Sequence, residues 1–300
     1  MAPATETTTA AGARIAAAPI TWGVNDVAGW GHQLPPDRVL REMASLGVEA
    51  IETGPDGFLP DDAAAARGLV ANYGLTVVGG YVGLMLHGDP AVWRDELEPA
   101  LDRLGALGAE WIIAAALEAP GMYDRRPELQ SDDWRRLLAA LDQATELARE
   151  HGLRLAVHPH LATVIERPED VQRVLEGSTA VLCLDTGHYT VGGGDAVALA
   201  REAGERVGYV HLKDVDARLA DAVRGGRMGF LDAVRDGLFR PLGQGDVDVE
   251  TFLRTLVEAR YDGWLVLEQD VMLDAPPPPG AGPVENARIS GDYIRSLVGR

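Results

Sequence analysis

Short, almost wholly apolar runs recur along this chain, separated by longer segments with helical patterning. The runs fall at residues 15–20, 48–52, 76–81, 111–115, 154–157, 181–184, 207–211 and 264–267. They are rich in Val and Ile and mostly lack the apolar–polar alternation of a strand with one wet face. They therefore read as strands buried on both faces of a parallel sheet. Residues 133–151 place Trp134, Leu137, Leu138, Leu141, Ala144, Leu147 and Ala148 at three-and-four spacing, the pattern of a helix with one buried stripe. Residues 36–46, 168–175 and 249–259 read as further helices. Pro168 suits a first helical turn and Asp248 an N-cap. Gly47, Gly74, Gly108 and Gly152 stand between a helical segment and the next apolar run, where a left-handed residue commonly ends a helix.

Eight strands, nearly every one followed by a helix, count out a closed (β/α)8 TIM barrel. The rival is an open doubly wound sheet, which usually carries a glycine-rich phosphate loop after its first strand. Here that place holds Thr21-Trp22-Gly23-Val24-Asn25-Asp26, with no such loop. A barrel takes about 250 residues, so the expected organisation is a disordered tail at 1–14 and a single barrel domain at 15–300. Two stretches break the rhythm. Residues 215–248 are too long for one loop and helix, so an extra helix at 230–238 is expected to cover the mouth. Residues 274–282 are Pro-rich and read as an extended turn before a C-terminal helix at 285–297.

The formal net charge is -19. That speaks against a nucleic-acid substrate and against an anionic membrane surface, both of which demand basic patches. No stretch approaches the roughly 18 uninterrupted apolar residues of a membrane span. The N-terminal residues lack the basic start and apolar core of a signal peptide, so a cytoplasmic location is expected. The single cysteine, Cys183, rules out an intrachain disulfide and a cysteine-based zinc site. It sits in an apolar run, where a buried inert thiol is the ordinary reading.

Working residues of a barrel lie at the C-terminal ends of its strands. Four consecutive runs end in Val157-His158-Pro159-His160, Leu184-Asp185-Thr186-Gly187-His188, Val210-His211-Leu212-Lys213-Asp214 and Leu267-Glu268-Gln269-Asp270. His158 and Asp185 are 27 residues apart, and Asp185 and His211 are 26 apart. Each step is about one strand–helix unit, which brings the two side chains to one height on neighbouring strands. His211 to Glu268 spans 57 residues, one unit plus the long insertion. Singly, such a residue is most often a hydrogen-bonded surface group. Together, His158, Asp185, His211 and Glu268 on adjacent strand ends read as one divalent metal site. Mixed imidazole and carboxylate donors suit manganese, cobalt, iron or zinc, and not calcium. Alternation along a strand turns His158 and His160 to the same side.

The motifs Leu-Asp-Thr-Gly-His and His-Leu-Lys-Asp, with the late Glu268, resemble those of the xylose isomerase-like, or sugar phosphate isomerase/epimerase, barrel superfamily. Within it, Ala18-Pro19-Ile20-Thr21-Trp22-Gly23-Val24, Gly29-Trp30-Gly31-His32-Gln33-Leu34, Glu52-Thr53-Gly54-Pro55-Asp56-Gly57-Phe58-Leu59-Pro60, His158-Pro159-His160 and Arg240-Pro241-Leu242-Gly243-Gln244-Gly245-Asp246-Val247-Asp248 resemble the inosose dehydratases. The resemblance covers roughly residues 15 to 272. It implies metal ligation by His158, Asp185, His211 and Glu268, although most members of the superfamily carry Glu where this chain has His158. Whether His158 or His160 meets the metal stays open at this point.

The resemblance further implies a small polyhydroxylated ketone, 2-keto-myo-inositol, as substrate, with loss of water beside the ketone through an enolate. His160 and His188 are then the candidates for acid and base. Lys213 would stabilise developing negative charge, and Asp214, counted with the substrate-binding residues, would orient Lys213 or a histidine. Glu52 and His87 would bind hydroxyls, and Trp22 or Trp30 would pack on the ring's apolar face. Manganese or cobalt leads the expected metals, with zinc, iron or magnesium as alternatives. The runner-up activity is a metal-dependent ketose isomerase or epimerase of the same superfamily. It shares the α-proton step, but such epimerases typically use two carboxylates on opposite faces of the substrate, and one of those positions is His158 here. A nuclease of the same barrel superfamily is disfavoured by the acidic charge, and a non-catalytic sugar-binding subunit by the intact ligand set. Homo-oligomer formation is left open.

Overall fold

The computed structural model of the chain describes residues 14–118, 126 and 128–298. The expected N-terminal tail therefore lies, all but its last residue, outside the described residues. In chain order the elements are β1 (Arg14–Ala17), α1 (Pro36–Ser45), β2 (Ala50–Glu52), α2 (Ala63–Ala71), β3 (Thr76–Leu84), α3 (Pro90–Leu107), β4 (Trp111–Ala116), α4 (Ser131–Glu150), β5 (Arg154–Val157), α5 (Pro168–Gly177), β6 (Val181–Asp185), α6 (Thr186–Val191) and α7 (Ala196–Ala203). They continue with β7 (Val207–Leu212), β8 (Asp214–Val215), α8 (Ala217–Arg224), α9 (Phe230–Arg235), β9 (Phe239–Arg240), α10 (Val249–Glu258), β10 (Trp264–Leu267) and α11 (Pro283–Val298). Eight strands close a barrel in the order β1-β10-β7-β6-β5-β4-β3-β2. Every neighbouring pair is parallel.

The apolar runs became strands because both their faces are covered. Side chains turned outward meet the helices in one large core. Those turned inward fill the barrel: Ala50, Ile113, Ala156, Cys183, Tyr209 and Val266 belong to this second, separate cluster. Small residues on some strands leave room for Trp111 and Trp264 from others, the interdigitation a closed barrel requires. The first strand is shorter than its apolar run. Pro19 opens a 3-10 turn, Pro19–Trp22, which Gly23 closes at φ 79°. That turn carries the chain out of the barrel wall, because proline offers no N–H to a ladder.

The helices follow the amphipathic pattern. In α4, Trp134, Leu137, Leu141, Ala144 and Ala148 are buried. Gly108 ends α3 at φ 75° and Gly152 follows α4 at the same angle. Some of the acidity is local capping chemistry. Asp62, Asp89, Asp195 and Asp248 each accept a backbone N–H at a helix start, worth about 1 kcal/mol apiece.

The long insertion holds more than the one expected helix. It contains α8 and α9, and β8 pairs antiparallel with β9 across it. Its apolar side chains, including Phe230, Val234 and Phe239, gather with Trp30 and Leu161 in a small cluster of their own. This cluster lies beside the C-terminal mouth, as Phe230 and Leu231 line the cavity there. Among the described residues, no helix is long and apolar enough to cross a membrane.

Ile113, fully buried inside the barrel, tests the packing. Ile113→Ala should destabilise the fold by about 2–5 kcal/mol, read as a lower urea midpoint with an unchanged slope. An unaltered midpoint would mean that the interior is not close-packed at that layer.

Candidate metal and catalytic site

The site is the next layer of the barrel interior. Ala50, Ala156, Cys183, Tyr209 and Val266 point inward, and side chains repeat every two residues along a strand. Two residues further on stand Glu52, His158, Asp185, His211 and Glu268, just where the strands end. In register, Asp185 sits opposite His211 on β7, and His211 sits opposite Val266 on β10. His158 continues the ladder beyond β5 by donating its N–H to Ala114 O at 2.8 Å.

His211 is the centre of this layer. Its Nε2 donates to Glu52 Oε1 at 2.7 Å, and the same oxygen accepts the Tyr209 hydroxyl at 3.1 Å. With Nε2–H committed to Glu52, Nδ1 faces Asp185 Oδ2 at 3.6 Å and lies against Glu268 Oε2. Neither His211 Nδ1 nor Glu268 Oε2 makes an oriented hydrogen bond, and His158 Nδ1 is likewise without one. The His158 and His211 rings meet edge-on, 5.0 Å apart.

Lys213 is fully enclosed. Its Nζ donates to Asp185 Oδ2 at 2.8 Å, lies 2.8 Å from Glu268 Oε1 and stands 3.5 Å from Asp270 Oδ1. Asp185 Oδ1 meanwhile accepts the N–H of His188 at 2.7 Å and caps α6. Thr186 braces the backbone: its hydroxyl donates to Lys213 O at 2.6 Å and accepts Lys213 N–H at 2.9 Å. Gly187 is required here, because a Cβ would stand 2.4 Å from Lys213 Cβ.

Electrostatics follow from burial and these pairs. Burial alone would raise Asp185 and Glu268, but the Lys213 ammonium and neighbouring imidazoles overcome it and hold both carboxyls far below their usual range. Burial pushes Asp270 up to about 7. It also depresses His158, His188 and His160. For His211 the burial penalty is outweighed by Cys183, Glu268 and Glu52, so its imidazole is held well above its ordinary value.

These residues fit a divalent metal. Three carboxylates (Asp185, Glu268 and Asp270) gather around Lys213, while Glu52 and Glu268 both engage His211. Nδ1 of His158, Nδ1 of His211 and Oε2 of Glu268 are buried without an oriented hydrogen bond, and the last two lie against each other. Glu52 on the far nitrogen of His211 is the outer carboxylate that orients a ligating imidazole. One oxygen of Glu52, one nitrogen of His211 and one oxygen of Glu268 lie within 4.8 Å of one another, as do single nitrogens of His158, His160 and His188.

A cavity of about 540 Å³ opens onto this layer. Its lining includes Glu52, His158, His160, His211, Glu268 and Asp270, with Trp30 and Phe230 nearer the mouth. His160 donates Nδ1–H to Leu161 O at 2.8 Å, which makes Nε2 the basic nitrogen of the neutral ring. The His188 ring lies against it at a tilt of 39°, ring centres 3.9 Å apart, with its Nε2 3.9 Å from Asp270 Oδ2. It does not line the cavity, nor do Asp185 and Lys213.

Three residues expected at the substrate lie elsewhere. Trp22 is wholly buried and donates to Glu42 Oε2 of α1 at 3.0 Å, because the proline-initiated turn swings it out of the barrel. Asp214 is committed to the chain itself: it accepts the N–H groups of Val215, Gly243, Gly245 and Val247 at 2.9 to 3.0 Å. His87 lies three residues beyond the end of β3 and away from the cavity, its carbonyl accepting from Arg136. Conversely, Asp270 belongs to the cavity wall without having been given a role from sequence. Its signal was parity, since it stands two residues past Glu268.

The chain matches the model of the xylose isomerase-like TIM barrel family over residues 40–295, and it belongs to that family. An inosose dehydratase of Geobacillus kaustophilus (strain HTA426) is 31% identical over 299 residues, covering 95% of this chain and 94% of that protein. The rhizopine catabolism protein MocC of Rhizobium meliloti is 34% identical over 267 residues, covering 86% of this chain and 81% of that protein. Among solved structures, the probable 3-DHS dehydratase AsbF of Bacillus anthracis superposes with a TM-score of 0.71 at 13% identity, covering 94% of this chain and 98% of that one. At that identity the likeness is one of fold.

Asp214→Ala removes the acceptor for three loop amides. The loss should cost about 1–3 kcal/mol for the groups left unpaired and speed hydrogen exchange at Gly243, Gly245 and Val247. Unchanged exchange at those amides would contradict the anchoring role.

Proposed function

We propose that this protein is a metal-dependent dehydratase of an inosose, 2-keto-myo-inositol, removing water beside the ketone. The observation that carries the reading is a cavity lined by His158, His160, His211 and Glu268, in which His158 Nδ1, His211 Nδ1 and Glu268 Oε2 are buried without an oriented hydrogen bond. Relatives named inosose dehydratase, similar along nearly the whole chain, support the substrate class. His158, Asp185, His211 and Glu268 are the proposed ligands, with manganese or cobalt the leading ions. When bound, the ion supplies a Lewis acid for negative charge developing on a ketone oxygen.

The protein's own groups do the rest. His160 Nε2, its lone pair fixed by the Nδ1–H bond to Leu161 O, accepts the proton from the carbon beside the ketone. The hydroxyl one carbon further leaves as water, taking up the equivalent of the proton that His160 accepted, and the enol left behind tautomerises to a dione. His188 packs against His160 from outside the cavity and keeps that ring in place. Asp270 offers an oxygen with no hydrogen-bond partner to a substrate hydroxyl. Lys213 keeps Asp185 and Glu268 ionised and oriented from behind. Glu52 and Glu268 both engage the same imidazole, so they do not form the opposed pair of carboxylates that a two-faced epimerisation uses.

His211→Ala should lose its metal while remaining folded, as read by elemental analysis and circular dichroism. A variant that keeps stoichiometric metal would misplace the site. His160→Asn should keep the metal and lower kcat by about 10²–10⁴-fold, the usual cost of a lost acid or base. Metal loss in that variant would make His160 a ligand instead. The reaction class is decided by incubating the manganese-loaded protein with inososes and ketoses in deuterated water. A dehydratase gives a dione lighter by one water. An epimerase returns product of substrate composition with deuterium at the exchanged carbon, and that result without any dehydration would overturn the proposal.

A further inference from the structure

We infer that a second, thiophilic metal-binding set lies directly beneath the proposed one, formed by His158, Cys183 and His211. The inference rests on reading His158 and His211 as metal ligands, and it adds the thiol to them. Cys183 precedes Asp185 by two residues on β6, so its side chain points the same way, one layer deeper. Its backbone neighbour on β7 is Tyr209, which lies two residues before His211.

The sulfur and one ring nitrogen from each histidine lie within 4.8 Å of one another. All three side chains are buried. Neither Nδ1 of His158 nor Nδ1 of His211 makes an oriented hydrogen bond; His211 Nδ1 lies against Glu268 Oε2, a contact it must give up, with its proton, to bind an ion beside the thiol. Zinc bonds to nitrogen and sulfur of about 2.0–2.3 Å place donors roughly 3.5 Å apart. A closure of about an ångström therefore completes the set, within reach of side-chain rotation at a strand end.

The two sets differ in donor chemistry. The upper one adds the carboxylates of Asp185 and Glu268 to the imidazoles and suits manganese or cobalt. The lower one adds sulfur, which favours soft ions such as cadmium, and zinc over manganese. On binding, the Cys183 S–H bond breaks, a sulfur–metal bond forms, and the proton leaves to solvent. Because His158 and His211 serve both sets, occupation of one excludes the other. A thiophilic ion drawn down to Cys183 takes both imidazoles away from Asp185 and Glu268, so Cys183 becomes the residue that decides which metals activate the protein and which block it.

The test uses the full chain, stripped with a chelator and titrated separately with cadmium and manganese. Ultraviolet absorbance reports thiolate-to-cadmium charge transfer, and proton release is followed in weak buffer. Cadmium should raise a charge-transfer band that saturates at one ion per chain, and manganese should raise none. In Cys183→Ala the band should vanish and cadmium affinity should fall at least tenfold. Cys183→Ser, closer in size, should behave the same way. Cadmium bound without the band, or with equal affinity in either variant, would overturn the inference. Manganese binding alongside a silent cadmium titration removes only the thiophilic set. A cadmium band without manganese binding keeps that set and removes the proposed activating site. If neither variant folds, the band in the unaltered protein decides.

Discussion

Lys213 Nζ lies 2.8 Å from both Asp185 and Glu268 and has no exposed surface. An ammonium taken out of water costs several kcal/mol, recovered only by close and well-oriented counter-charges. The mouth of the barrel is arranged around that requirement. Thr186 brackets the lysine's backbone, Gly187 leaves room for its stem, and Asp185 divides its oxygens between Lys213 and the start of α6. Breaking such a buried pair typically costs about 3–5 kcal/mol, so stability and ligand geometry are held by the same contact. In return, Asp185 and Glu268 stay ionised in a place where burial alone would protonate them.

The candidate metal layer is an extension of the packing layer below it. Inward-facing Ala50, Ala156, Cys183, Tyr209 and Val266 close the barrel, and a step of two residues along each strand delivers a donor in place of an apolar group. The change from apolar to polar coincides with the ends of the strands, where the cavity supplies space and a route to solvent. That coincidence explains why Cys183 is both a core residue and a neighbour of the proposed ligands. A zinc site assembled from cysteines alone was ruled out by count. A mixed site sharing two histidines needs only one sulfur.

Parts of the candidate site were legible without coordinates. Spacings near one strand–helix unit placed His158, Asp185 and His211 together, and parity turned His158 and His160 to the same side. Other assignments failed for identifiable reasons. Asp214 looked available because it follows a site lysine, yet four backbone N–H groups from its neighbour Val215 and the 243–247 loop claim it. Trp22 follows a strand directly, but Pro19 bends the chain and commits its indole to Glu42. Glu52, read as a hydroxyl binder, does line the cavity, and what sequence could not show is its bonding to His211 and Tyr209, partners more than 150 residues away in sequence.

By itself the sequence determined the fold and the height at which chemistry sits, because the period of two in strands and the spacing between strands are local properties of the chain. It also carried the family, since the strand-end motifs are contiguous. Only the tertiary structure decided which nitrogen of His160 and of His211 is committed, which carboxylates answer Lys213, that His160 lines the cavity while His188 does not, and that Cys183 lies within reach of two proposed ligands. These are contacts between different strands and loops. They depend on barrel closure and on the competition of each polar group for the nearest partner, which no single stretch of sequence contains.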